Sequence, residues 1–161
     1  NMSATKNLKK ETKKRGINPS RIIFAKRMPL DEHLARHKLA DLFLDTFPYG
    51  AHTTCSDALW AGLPVLTRIG QSFASRVSAS LLNAIGLQEL ITYSEKEYED
   101  LSIELATHPA RLKEIKSKLE KNRLTKPLFN TKLFTKNIES AYTTIHEKYF
   151  KNLPVENIEI K

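Results

Sequence analysis

Short apolar runs alternate along this chain with longer stretches in which apolar side chains recur every three or four positions. The runs at 21–24, 42–45, 65–67 and 90–92 have the length and apolarity of buried strands. Between and after them, helical spacing predicts helices at 3–15, 29–40, 53–62, 73–85, 95–107, 109–123 and 132–150. The inward positions of these helices are Leu34, Leu39 and Ala40, then Ala58, Leu59 and Ala61, then Val77, Leu81, Leu82 and Ile85. Phe134, Ile138, Ala141, Tyr142, Ile145 and Tyr149 form one stripe on the last helix. Gly16 with Asn18-Pro19, Gly62 before Pro64, and Gly86 supply the stops. Pro29 suits a first helical turn.

Strands alternating with helices argue a parallel sheet with right-handed crossovers, a Rossmann-like α/β domain. A chain of 161 residues holds one such domain rather than two. The organisation expected is a basic N-terminal helix at 1–15, the Rossmann-like domain with its long final helix at 16–150, and a tail at 151–161. No G-x-G-x-x-G fingerprint and no 34-residue repeat occurs.

Hydrophobic residues at 40% and charged residues at 27% are ordinary for a globular protein. No run of about 18 apolar residues offers a membrane span, and the lysine-rich start lacks the apolar core of a signal peptide. One cysteine, Cys55, excludes an internal disulfide and a cysteine metal cluster, and suits a reducing cytoplasm. The net charge of +8 is concentrated at the N-terminus, where Lys6, Lys9, Lys10, Lys13, Lys14 and Arg15 stand against Glu11 alone. That run has no interleaved aromatic, so it reads as a solvated helix face. Binding to RNA or an anionic surface is the minority alternative.

Candidate chemistry concentrates between Asp45 and Gly62, which reads as a strand end, a loop and a helix start. Pro48, Gly50 and Ala51 turn the chain, with Gly50 free to take positive φ. Thr53 or Thr54 caps the next helix, and Thr54 with Asp57 resembles a capping box. A helix start offers unpaired N–H groups and a positive dipole end, here beside two hydroxyls and His52, which together suit a phosphate. In an open α/β sheet that place is also the carboxyl edge of the strands, where ligands bind. Cys55 in the first turn would be favoured as thiolate, but packing is the preferred role. Asp31 and Glu32 point in different directions on a helix and do not make a glycosidase pair.

In their order along the chain these residues resemble the protein O-linked N-acetylglucosamine transferases, a family that includes the plant SPINDLY-type proteins. The likeness is carried by Arg21-Ile-Ile-Phe24, Glu32-His33, Arg36, Leu39-Ala-Asp41 and Leu44-Asp-Thr46. It continues through His52-Thr-Thr54, Asp57, Leu59-Trp-Ala-Gly62, Pro64, Ala74-Ser-Arg-Val77, Ser80, Glu97-Tyr-Glu-Asp100 and Pro127-Leu-Phe-Asn-Thr131. The resemblance implies a GT-B fold, two Rossmann-like domains usually behind tetratricopeptide repeats. It covers only the C-terminal, nucleotide-sugar-binding half.

The resemblance further implies a site for a nucleotide sugar, UDP-N-acetylglucosamine or a relative such as UDP-glucose or GDP-fucose. The uracil would lie on the backbone of Arg27-Met28-Pro29, with His33 and Arg36 near the base. Asp57 would take the ribose hydroxyls, as an acceptor-only carboxylate can. His52, Thr53 and Thr54 would hold the diphosphate. Leu30 borders this loop where family members can carry a lysine, and Gly50-Ala51 replaces a common Asn-Gly.

A departing diphosphate needs stabilisation by helix N–H groups and usually a cation. The family's lysine for that step is expected upstream of residue 1, and its acceptor-side histidine in the N-terminal half. The chain is therefore expected to be a fragment of an inverting transferase with no catalytic residue, cofactor or metal of its own, inactive alone. Its expected partners are the nucleotide sugar and an acceptor protein engaged through the other half, with no membrane and no nucleic acid. A degenerate interaction module is the alternative from a different class.

Overall fold

The computed structural model describes residues 1–160, in two compact units: one from Asn1 to His33, one from Leu34 onward. In the first unit, α1 (Met2–Lys14) starts on Asn1, whose side chain accepts the Ser3 N–H, and ends in Lys13 and Lys14. Cations suit the carbonyl end of a helix dipole, and no residue of α1 is buried. Lys9 lies 5.9 Å from the centre of the Phe24 ring.

The strand expected at 21–24 does not form. Arg21 ends a 3-10 turn, Pro19–Arg21, and the following residues are extended but unpaired, with Ile23 exposed. A strand exists only where a neighbour takes its N–H and C=O groups. Among the described residues no strand pairs with this segment.

Helix α2 (Leu30–Arg36) is shorter than the expected 29–40, because the backbone tightens into a 3-10 turn at His37–Leu39. Three residues per turn rather than 3.6 rotate the face presented. His37 is buried in consequence, and Leu39, expected inward, is exposed.

The sheet of the second unit has three parallel strands in the order β1 (Phe43–Leu44), β2 (Val65–Arg68), β3 (Ile91–Thr92). Phe43 is in register with Val65 and Thr67 with Ile91. Helix α3 (Thr53–Ala61) links β1 to β2, and α4 (Val77–Ile85) links β2 to β3. Three helices follow, α5 (Glu95–Thr107), α6 (Pro109–Thr125) and α7 (Thr131–Phe150). Val65, Leu66 and Thr67 are all buried. Consecutive strand residues face opposite sides, so β2 is covered on both. Edge strand β1 is not, and Leu44 is exposed, contrary to the expected two-sided cover.

Leu59, Leu82, Ile85, Leu87, Leu90 and Leu119 form the fully buried heart of the core. Helix α6 closes it with a polar clamp: Asn122 Nδ2 donates to Ile85 O at 2.7 Å, satisfying a carbonyl at the end of α4. The chain then packs Leu128 and Phe129 against the core and Phe129 edge-on against Trp60. No residue of α7 beyond that point is buried. No helix among the described residues is long and apolar enough to cross a membrane.

Candidate functional site

At the carboxyl end of β1 the loop 46–51 and the start of α3 border an open cavity of about 410 Å³. Its wall includes Thr46, Tyr49, His52, Thr53 and Thr54. The loop is organised by a residue to which the sequence pattern gave no role, Asp45. Its side chain sits in a residue only 3% exposed. One carboxylate oxygen accepts the N–H groups of Thr46 (2.8 Å) and Ala51 (2.7 Å); the other accepts the Thr67 hydroxyl at 2.7 Å. A buried carboxylate is tolerable only with such donors. The Tyr98 hydroxyl donates to the Asp45 carbonyl at 2.8 Å. Burial, and then the neighbouring Asp45 charge, push that phenol up to about 12, so it stays a donor.

The same ties run across the whole sheet. Thr92 on β3 donates its hydroxyl to the Thr67 carbonyl at 3.0 Å, Thr67 on β2 donates to Asp45, and Asp45 stands one residue past β1. Phe47 is held between Tyr98, edge-on at 5.7 Å, and the Arg68 guanidinium at 4.1 Å. Arg68 also pairs with Glu95 at 2.8 Å.

The last peptide before His52 is fixed on both sides. Ala51 gives its N–H to Asp45, and its carbonyl accepts the Ser78 hydroxyl at 2.6 Å. His52 Nε2 lies 3.2 Å from the Ala74 carbonyl, which can only accept, so Nε2 carries the hydrogen. The imidazole is stacked on Tyr49 (5.2 Å, 15°) and meets the edge of Phe73 at 5.8 Å. Its Nδ1 is left as the nitrogen with chemistry to offer.

Gly50 is not in the left-handed region; the glycines with positive φ are Gly16, Gly62 and Gly86. Gly50 does not use the freedom it has for positive φ, and the reason for glycine is space. A Cβ there would stand 3.1 Å from Asp45 Oδ2 and 3.3 Å from the Ala74 carbonyl.

Capping is likewise corrected. His52 is the N-cap of α3, no side chain caps that helix, and Thr53 and Thr54 are its first two residues. Neither threonine serves as the expected cap, and Asp57, a turn further in, closes no capping box. Both threonines are exposed, and no side chain caps the first N–H groups of α3. Thr53 and Thr54 lie four and three residues before Asp57, which places all three on one helix face. Cys55 is fully buried, and desolvation, the largest cause, pushes its thiol up to about 12. The helix position does not yield a thiolate, and the preferred packing role stands.

His52, Thr53 and Thr54 thus share one cavity wall, with Asp57 beside them. The half-buried Arg36 precedes the turn at His37–Leu39, which packs against α3. Met28, Pro29, Leu30 and His33 belong to the first unit, where Met28 and His33 are half-buried and Leu30 is exposed. The sequence signal that could have exposed Asp45 is an acidic residue ending the apolar run 42–44. A carboxylate placed there must find donors or disrupt the sheet edge.

Residues 2–138 match the profile of glycosyl transferase family 41. A UDP-N-acetylglucosamine–peptide N-acetylglucosaminyltransferase of Caenorhabditis elegans is 34% identical over 151 residues, 94% of this chain and 13% of that protein. The probable UDP-N-acetylglucosamine–peptide N-acetylglucosaminyltransferase SEC of Arabidopsis thaliana is 41% identical over 128 residues, 79% of this chain and again 13% of the relative. The chain therefore spans about an eighth of the length of these relatives. Among solved structures, a mutant O-GlcNAc transferase of Thermobaculum terrenum superposes with a TM-score of 0.81 at 32% identity, over 88% of this chain and 27% of that one. The parallel sheet flanked by helices is accordingly the Rossmann-like fold of a GT-B glycosyltransferase half. A family match across most of the sequence, carried into three dimensions by that superposition, makes this chain a member of glycosyl transferase family 41.

Proposed function

We propose that the chain is the donor-nucleotide half of a protein O-glycosyltransferase, taking UDP-N-acetylglucosamine for transfer to serine or threonine of an acceptor protein. The observation that carries the reading is the start of α3: exposed threonines, Thr53 and Thr54, at a helix start that no side chain caps, beside an open cavity at the carboxyl edge of the sheet. In this reading the diphosphate lies on those N–H groups and on His52. Asp57 accepts the ribose hydroxyls. The uracil lies on the backbone at Met28, Pro29 and Leu30, with His33 and Arg36 near it. The donor domain is 16–150, preceded by the basic helix and followed by the tail. The full-length protein carries tetratricopeptide repeats, meets its acceptor through its other half and works in the cytoplasm.

The curated relatives bear names that specify UDP-N-acetylglucosamine and a peptide, which supports this donor over UDP-glucose or GDP-fucose. Calorimetric titration with UDP and with inorganic pyrophosphate tests the reading. Asp57→Ala is expected to lower UDP affinity about tenfold to a hundredfold, the worth of one charged hydrogen bond, and to leave pyrophosphate affinity alone. Equal UDP binding by a folded Asp57→Ala variant would refute the ribose role. Absence of UDP binding by the unaltered chain would refute the donor reading in favour of an interaction module. The chain alone is expected to transfer no sugar, and detectable glycosylation of any protein by it would overturn that expectation.

A further inference from the structure

Asp45 is the buried carboxylate among the described residues, and it is not one of the groups expected to touch nucleotide. A core that needed only cohesion would not require an ion there, since buried ion networks often stabilise less than apolar packing. Its geometry suggests a different use. One oxygen gathers the first and last N–H groups of the loop, Thr46 and Ala51, while the other is keyed to β2 through Thr67. The loop is thereby closed in one shape and referenced to the sheet rather than to solvent.

That shape sets the site. The Ala51 peptide, gripped by Asp45 and Ser78, leads directly into His52, the N-cap of α3. The direction of the first α3 N–H groups follows from it, while Ala74, Tyr49 and Phe73 hold the imidazole in place. Three donors also turn the Asp45 charge inward, so an anion at the helix start need not face an uncompensated carboxylate. Gly50 completes the fit, because a Cβ there would crowd Asp45 Oδ2 at 3.1 Å and the Ala74 carbonyl at 3.3 Å.

We infer that Asp45, oriented by Thr67, is a positioning residue that holds the loop 46–51 and the start of α3 in the diphosphate-receptive geometry. The inference rests on the donor reading above. Its test compares UDP affinity and amide exchange at Ala51 in Asp45→Asn, Thr67→Val, Thr67→Ser and the core control Leu82→Ala, below the unfolding transition of each. Asp45→Asn is expected to lose about tenfold in UDP affinity and Thr67→Val about threefold to tenfold, each with faster Ala51 exchange. Thr67→Ser, which keeps the hydroxyl, is expected to match the unaltered chain. Leu82→Ala is expected to keep its UDP affinity despite a larger loss of stability.

Should Asp45→Asn not fold, the Thr67 pair carries the decision. Equal affinity in Thr67→Val and Thr67→Ser overturns the inference, as does an equal loss in Leu82→Ala. An unaltered chain that binds UDP beside a folded Asp45→Asn that binds as well removes this inference alone. An unaltered chain that binds none removes the donor reading, and this inference with it.

Discussion

Helices α4 and α7 carry the same kind of apolar stripe and have opposite fates. In α4, Leu82 and Ile85 are fully buried, with α3, α6 and β2 packed around them. In α7, Phe134, Tyr142, Ile145 and Tyr149 are all exposed, Tyr149 at 76%. A helical period reports which face wants cover, not whether cover exists. The contrast also explains how α7 stays ordered at its base. Phe129, just before it, is anchored on Trp60, and Asn130 caps it by accepting the Leu133 N–H. At its far end the tail returns to it, with Lys148 paired to Glu156.

The largest expected effect lies on the buried side. Leu82→Ala should cost about 2–5 kcal/mol, because a close-packed site cannot collapse around the lost atoms. Urea unfolding measures it, and a loss under about 1 kcal/mol would mean that the α4 face is no better packed than that of α7.

Gly86→Ala comes next. This residue ends α4 at φ +75, where a side chain is strained, and its Cβ would stand 3.1 Å from Asn122 Nδ2. The added methyl should cost about 1–3 kcal/mol by strain alone and loosen the α6 clamp. An unchanged melting temperature would show that the clamp yields freely.

A third test uses alkali. The Cys55 thiol rises from an ordinary 9.0 to about 12 in the fold, so above pH 9 the unfolded chain releases a proton that the native chain keeps. Stability is therefore present below pH 9 and lost as pH climbs toward 12. By pH 10 the loss is about 1.4 kcal/mol, one pH unit beyond the unfolded value. Tyr98, raised from 10.0 to about 12, adds in the same direction at higher pH. Cys55→Ser should flatten the profile between pH 9 and 10, and an equally steep fall in that variant would assign the loss elsewhere. Alkylation of the native chain at pH 8 should likewise be slow.

Smallest is the effect on the open side. Ile145→Ala should change stability by no more than about 0.5 kcal/mol, and amides near Phe150 should exchange faster than those of β2. A cost comparable to that of Leu82→Ala would prove that the α7 stripe is covered in solution.

Much of this architecture was legible in residue order alone. The alternation of apolar runs with helical spacing located β1, β2, β3 and all seven helices, because each needs only local geometry and one face to bury. Gly62 and Gly86 ended their helices as expected, for a left-handed cap is a local property. The run His52-Thr-Thr54 with Asp57 was likewise visible, since its spacing on one helix face follows from the helix itself.

What depended on partners was not legible. Residues 21–24 have the composition of a strand but no neighbour to pair with, and pairing is nonlocal. Gly50 owes its identity to Asp45 and Ala74, not to its own φ. Asp45 draws its donors from 46, 51 and 67, brought together only when β1 and β2 pair. Sequence determines what each face and each polar group requires; only the assembled sheet decides what supplies it, because the partners lie far apart along the chain.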